Sequence, residues 1–469
     1  MEMNKTILIS FFLFLTFLLN AQKNANNKPS IDFSHGKLKV SANGHFLVFE
    51  DETPFFYLGD TAWKLFHRLN KSDAEMYLEN RRQKGYTVIQ AVVLSGMDGF
   101  KEPNANGDLP VFNNDPLQPN EKYYVHVDWI IAKAQEKGIF IALLPTWGDK
   151  VDSKILNMEN MFNFGKWIAE RYKSYTNIIW VNGGDRAGTL ETNPIWEELA
   201  KGILSVDKNH LMTFHPNGRN GSSDWFHNAD WLDFNMRQNG HVAEYNVSYL
   251  NTAKDYQLIP AKPVIDGEPI YEDIGLGFDP TKNGHAIASD VRRPLYWNLF
   301  SGAFGHTYEN NSVWQMWTPD KEGAFDPLMP WNEAINQAGA DQMQYGRWLM
   351  ESRPFVTRIP DDAIIIPNKI TNLVPGTGCY RFVATRDIDG TYAMIYAPIG
   401  CPFSVNMTVI KGAKVKAWWF NPRNGEATAI GVFANSGAKE FISPTRGENT
   451  DWILVLDDAS KKYPKPGKH

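Results

Sequence analysis

From residue 55 the chain alternates two textures: short, continuously apolar runs, and longer stretches whose apolar positions recur every three or four residues. Residues 55–60, 87–94, 139–145 and 178–181 are of the first kind and predict buried strands; residues 72–84, 121–137, 159–173 and 193–205 are of the second and predict helices. The first helix has Ser72 in a capping position with Glu75 three residues on, and the second ends at Gly138. Farther along, 212–215, 232–235, 263–266 and 303–308 predict shorter strands, with helices over 242–256 and 290–300 and a closing helix over 332–351. Strands apolar on both faces belong to a parallel sheet covered by helices. Eight such units in about 300 residues predict an α/β fold, a (β/α)8 TIM barrel, rather than an open doubly wound sheet. No Gly-x-Gly-x-x-Gly follows the first strand, which argues against dinucleotide binding.

The texture changes near Phe355. Residues 355–456 are short β-rich segments separated by Pro375-Gly376, Asp389-Gly390, Asn424-Gly425 and Asn435-Ser436-Gly437, the turn residues that join hairpins. About 100 residues of this kind predict a small antiparallel β-sandwich. The expected layout is a barrel over 22–352, a sandwich over 353–458 and a loose basic tail over 459–469. Ahead of them, residues 1–21 carry Lys5, an apolar run over 7–19 and Ala21, the pattern of a secretory signal. The run falls short of the roughly 20 apolar residues that span a bilayer, and no later segment is apolar enough. The expected mature protein is therefore exported, periplasmic or extracellular, with no membrane insertion and no Cys after the run to carry a lipid. Residues 22–30 read as a flexible polar leader. Cys379 and Cys401 are the only two cysteines, too few for a disulfide scaffold or a cysteine metal site. They flank a predicted hairpin, where they either pair or stay as two buried thiols.

Charge and composition narrow the partners. With 47 Lys and Arg against 53 Asp and Glu, the net charge of −6 offers no basic surface for nucleic acid. The 16 Trp, 18 Tyr and 28 Phe suit a cleft that stacks on sugar rings, and equally a well-filled core. The histidines are scattered without a His-x-x-x-His spacing, so neither a catalytic metal nor another cofactor is expected. No Gly-x-Ser-x-Gly elbow is present.

In a (β/α)8 barrel, functional side chains stand at the C-terminal ends of the strands. That rule selects Asp60 and Trp63 after strand one, Trp147 after strand three, Asp185 and Arg186 after strand four and His215 at strand five. It adds Asn235 and Arg237 at strand six, Glu268 at strand seven and Glu309 at strand eight. Asp185 and Glu268 are the candidate catalytic pair. Glycoside hydrolysis needs two carboxyl groups flanking one linkage, one to protonate the leaving oxygen and one to attack or to activate water. Gly183-Gly184 lets the chain turn sharply before Asp185, and Pro269 holds Glu268 extended. Asp185 could equally cap the next helix or pair with Arg186, and Glu272 is the nearest rival to Glu268. Trp63, Trp147 and Trp225 are candidate sugar platforms or packing residues. His215, Asn235 and Arg237 could donate to substrate hydroxyls or a uronic carboxylate; Asp60, Arg186 and Glu309 complete the candidate substrate contacts.

Five segments taken in order are distinctive: 56–68 (FYLGDTAWKLFHR), 85–94 (GYTVIQAVVL), 142–150 (ALLPTWGDK), 178–186 (IIWVNGGDR) and 266–271 (DGEPIY). Together they resemble the secreted bacterial apiosidase-like family of glycoside hydrolases, whose catalytic domain is joined to a domain named for collagen binding. The resemblance covers nearly the whole mature chain. It implies a retaining enzyme acting at apiose in rhamnogalacturonan II of plant pectin, with Asp185 of GGDR as acid/base and Glu268 of GEP as nucleophile. The expected partner is thus a plant cell-wall oligosaccharide or polysaccharide. The alternatives are an inverting hydrolase, a glycosidase of the same fold acting on another pectic sugar, and a non-catalytic polysaccharide- or collagen-binding protein.

Overall fold

The computed structural model describes residues 28–97, 99–241, 247–371 and 380–468. The segment read as a secretory signal and Cys379 lie outside the described residues. Eight parallel strands form the barrel: β1 Tyr57–Thr61, β2 Val88–Leu94, β3 Phe140–Thr146, β4 Ile178–Gly183, β5 Met212–His215, β6 Asn235–Arg237, β7 Val264–Asp266 and β8 Gly305–Tyr308. Ladder hydrogen bonds join them in the order β8-β1-β2-β3-β4-β5, with β6 and β7 as a separate parallel pair. Backbone hydrogen bonds outside the ladders bridge the two gaps: Asp233 N–H to the Met212 carbonyl at 2.9 Å, and Phe304 N–H to the Val264 carbonyl at 3.0 Å.

The strands are apolar on both faces because each face has its own core. On β3, Phe140, Ala142 and Leu144 fill the barrel, while Ile141 and Leu143 pack outward under the helices. The main covering helices are α1 Lys71–Gln83, α2 Glu121–Glu136, α3 Met161–Tyr172, α4 Asn193–Leu204, α5 Ser248–Tyr256 and α6 Ala288–Phe300, closed by α7 Ala338–Glu351. Two boundaries differ from the sequence reading for local reasons. The N-cap of α1 is Asn70, whose side chain accepts from Asp73 N–H, so Ser72 already lies inside the helix. The single closing helix expected over 332–351 is two, Trp331–Ala334 and α7, separated at residues 335–337. At the barrel floor, a three-stranded antiparallel sheet (Leu38–Val40, Leu47–Phe49, Pro54–Phe55) sets Phe49 and Phe55 against Phe140.

The C-terminal domain is a sandwich of a six-stranded and a three-stranded antiparallel sheet. Alternation along the larger sheet divides its side chains. Ala393 and Ile395 enter the sandwich core, whereas Met394 and Tyr396 join the barrel's cluster. Trp418 and Trp419 split the same way and both are buried, so neither is offered to a ligand. The domains are pinned by two buried bidentate ion pairs, Arg292 with Asp451 (2.8 and 2.7 Å) and Arg353 with Asp457 (2.8 Å each). The tail expected to be loose is anchored by Tyr463, whose hydroxyl bonds Thr391 at 2.9 Å and whose ring lies 4.8 Å from the Arg353 guanidinium. Cys401 is a buried free thiol. No helix among the described residues is long and apolar enough to cross a membrane.

Candidate active site

The C-terminal ends of β4 and β7 meet at a cavity of about 380 Å³ in the barrel mouth, lined by Asp185 and Glu268 together with Trp63, Trp147, Tyr271 and Trp314. Backbone conformation aims Asp185. Three successive residues, Gly183, Gly184 and Asp185, have φ of +89°, +112° and +54°. A Cβ on Gly183 would lie 2.4 Å from the His215 carbonyl oxygen, so only glycine fits there. Asp185 tolerates the left-handed region better than most side chains, yet the turn still stores strain at this point. Its backbone N–H donates to His215 Nδ1 at 3.3 Å.

Glu268 is set differently. Gln90 reaches across the barrel from β2 and donates to the Gly267 carbonyl at 2.7 Å, fixing the residue before it. The Glu268 carboxylate is nearly buried. Its Oε1 accepts from the Tyr271 hydroxyl at 2.7 Å and lies 3.4 Å from His241 Nε2. Its Oε2 lies 3.0 Å from His215 Nε2, a contact bent away from the line of a full hydrogen bond. One imidazole thus touches both carboxyl-bearing residues: the backbone of one and the side chain of the other.

These surroundings bias the two acids in opposite directions. Burial raises the Asp185 pKa, and the negative charge of Glu268 raises it further, against weaker lowering by His215 and Arg186. Burial also pushes Glu268 up, but contacts from His215 and His241 outweigh it and hold the carboxyl well below the usual range. Tyr271 is raised well above its ordinary value by burial and by Glu268, so its hydroxyl keeps its proton and donates.

The remaining expected contacts divide sharply. Trp63 and Trp147 do line the cavity, 5.1 Å apart, and Trp63 stands edge-on to His215 at 5.2 Å. His215 itself is wholly buried behind them and braces the carboxyls. Asp60 faces the helix layer, where it takes hydrogen bonds from Tyr77 and Arg81; Thr61, one residue on, points into the barrel. Asn235 meets His227, and Arg237 pairs with Asp255 at 2.9 Å, both away from the cavity. Arg186 turns aside to Asp152, and its guanidinium stays 3.8 Å from the Asp185 carboxylate. Glu309 is buried, bonded to Thr61, and held well above the usual carboxylate range by burial and by Glu268. Glu272 is buried against Tyr308 and the Gly339 N–H. Trp225 packs on Phe214.

Sequence reasoning missed Arg219, Gln238, His241, Tyr271, Phe278, Trp314 and Phe325 as lining residues. Three of them had a usable signal. Strand six ends at Arg237 rather than Asn235, which puts Gln238 and His241 in the loop at the mouth. Tyr271 closes the quoted motif 266–271.

Comparison with known proteins places the chain among glycoside hydrolases. A family model described as "Apiosidase-like, catalytic domain" matches residues 41–357. A second, described as "Putative collagen-binding domain of a collagenase", matches 359–457. A solved structure named a glycoside hydrolase is 38% identical and superposes with a TM-score of 0.87, covering 93% of this chain and 100% of that one. A glycoside hydrolase family 5 structure from Bacteroides vulgatus is 34% identical, with a TM-score of 0.87 over 94% and 97% of the two chains. No curated protein matches the chain.

Proposed function

Because the chain belongs to the apiosidase-like family of glycoside hydrolases, we propose that it cleaves apiose-containing linkages of plant pectin with retention of configuration, Glu268 attacking and Asp185 serving as acid and base. The observation that carries this reading is the opposed bias of two carboxyls lining one cavity: Glu268 is kept ionised while Asp185 is pushed toward its protonated form.

In the first step a Glu268 carboxylate oxygen bonds to the anomeric carbon as the bond to the leaving oxygen breaks, and that oxygen takes the Asp185 proton. In the second, the Asp185 carboxylate removes a proton from water, the water oxygen bonds to the same carbon, and Glu268 leaves as a carboxylate. Tyr271, His241 and His215 stabilise that carboxylate, which favours its departure and fixes its direction of attack. Arg219 supports an acidic polysaccharide as substrate. It is exposed, lines the cavity, and has no acidic partner among the described residues. Export to the periplasm or beyond, where such a polymer is met, belongs to the same reading.

The test is digestion of a panel of pectin side-chain oligosaccharides by the wild-type chain and by Glu268→Gln and Asp185→Asn variants. Release of apiose-terminated product, lost by two or more orders of magnitude in both variants, is the expected result. Proton NMR in the first minutes should give the anomer of the substrate. An inverted product would replace the nucleophile by a base acting through water, and full activity in either variant would remove the assignment.

A further inference from the structure

The loops after β7 and β8 each present a bulky aromatic side chain at the cavity mouth, and both do so against the preference of their own backbone. Phe278 and Phe325 line the same cavity as the two carboxyls, yet they are 53% and 51% exposed. Their φ values are +60° and +57°, where a large side chain is a genuine outlier. Water contact and backbone strain both disfavour phenylalanine at these two positions, and glycine or asparagine would relieve both.

The strain is imposed by the surroundings and is not slack in the loops. Gly277 N–H donates to the His241 carbonyl at 3.2 Å, and Phe278 N–H to the Gly275 carbonyl at 2.8 Å. On the other loop two wholly buried amides grip the chain. Asn311 donates to the Phe325 carbonyl at 2.8 Å, and Gln315 takes the Ala324 N–H at 2.8 Å while donating to its carbonyl at 2.9 Å. The outcome is a pair of rings 5.0 Å apart and tilted by 39°, with Phe278 also standing edge-on to His241 at 5.6 Å. Such constrained, exposed apolar surface continuous with a catalytic cavity is a feature of ligand clamps.

We propose that Phe278 and Phe325 form a stacking subsite for the carbon–hydrogen face of an additional sugar ring, beyond the two joined by the scissile linkage. The occupant is part of the same carbohydrate chain that the carboxyls act on, so this inference rests on the glycosidase reading. The subsite lies on the Glu268 side of the mouth, since both loops follow strands next to or at the nucleophile's own. The enzyme therefore discriminates by chain length as well as by linkage.

Phe278→Asn, Phe325→Asn and the double variant test it, because asparagine suits a left-handed backbone and leaves no ring to stack. The substrates are pectin-derived oligosaccharides sized by gel filtration: the shortest species the wild-type enzyme cleaves, and one two residues longer. Loss of the ring pair should raise KM on the longer species roughly tenfold more than on the shorter, with Tm unchanged or higher. Phe325→Tyr, which keeps the ring, should restore the length discrimination. An equal penalty at both lengths overturns the subsite, and so does a lowered Tm without length dependence, which would mark the rings as packing. Absence of any hydrolysis by the wild-type chain would instead sink the glycosidase reading; calorimetric binding of the same two oligosaccharides to the Glu268→Gln chain then reads the subsite by itself.

Discussion

Replacing Tyr271 by Phe removes one oxygen from the site and nothing else. That oxygen belongs to a hydroxyl donating to Glu268 Oε1 at 2.7 Å, and both residues are nearly buried. A hydrogen bond to a buried charge contributes about 1.5–3 kcal/mol, and 1.36 kcal/mol corresponds to one pKa unit. The Glu268 pKa should therefore climb by about one to two units, while His215 and His241 still hold it below an ordinary carboxylate. Two readouts follow. The acid limb of kcat/KM moves to higher pH by that amount, because attack requires the ionised form. The same energy is lost to the departing carboxylate in the second step, so kcat at neutral pH falls roughly 10- to 100-fold. The stability sign runs with it. A carboxyl whose pKa is depressed by folding stabilises the fold above the ordinary carboxylate range and ceases to as pH falls through its folded value. The variant should thus have a lower Tm than wild type at neutral pH, with the gap narrowing in acid. Initial rates and thermal unfolding, followed from neutral pH down to the lowest pH at which the fold persists, measure all three; because Glu268 is held well below the usual carboxylate range, the variant's limb enters that window from its acid end. A folded Tyr271→Phe enzyme with an unmoved acid limb and intact kcat would refute the role given to the hydroxyl.

Other substitutions probe the rest of the construction. Asp185→Asn should cost 10²–10⁴-fold in rate, about the range of a lost general acid, while raising Tm at neutral pH. Folding raises the Asp185 pKa, so its ionised form costs stability above the ordinary carboxylate range, and that cost vanishes in acid. A Tm below wild type at pH 7 would contradict this. Glu309→Gln keeps the shape and the neutral charge that burial already enforces, so hydrolysis rate and Tm should both stay near wild type; a large loss of either would mean that Glu309 works as an ion. Asp451→Ala strands Arg292 at the domain junction and should cost about 3–5 kcal/mol of stability. Urea denaturation reads that loss, and rate per folded molecule should be unaffected.

What the sequence revealed and what it concealed divide along the two-residue period of a strand. The barrel strands were legible because continuous apolar runs have few other uses, and β5 was placed to the residue. That Asp185 and Glu268 line one cavity was legible because Gly-Gly and Pro are backbone instructions that do not depend on tertiary context. Side-chain direction at a strand end was not legible, since a shift of one residue exchanges cavity and helix layer. Asp60 and Thr61 are such an exchange, and so are Arg237 and Gln238. The aromatic rim was concealed for another reason: nothing local marks Phe278 or Phe325 as exposed, because the amides that fix Phe325 lie 10 to 14 residues upstream and the fixing bond to the Phe278 loop comes from residue 241.

His215, expected among the substrate contacts, is buried behind the cavity wall for a reason that clarifies the site. A residue at the end of β5 points toward the mouth, but Trp63 and Trp147 already occupy the space in front of it. Its ring nitrogens therefore face the Asp185 backbone through Nδ1 and the Glu268 carboxylate through Nε2. Accepting at Nδ1 places the imidazole's proton on Nε2, where it faces the negative charge. The hydrogen bond that holds the strained Asp185 turn thus selects the tautomer that faces the Glu268 carboxylate. Asp185 and Glu268 are separated by 83 positions in sequence, but one imidazole couples the conformation of the first to the surroundings of the second. Disturbing either should be felt at both.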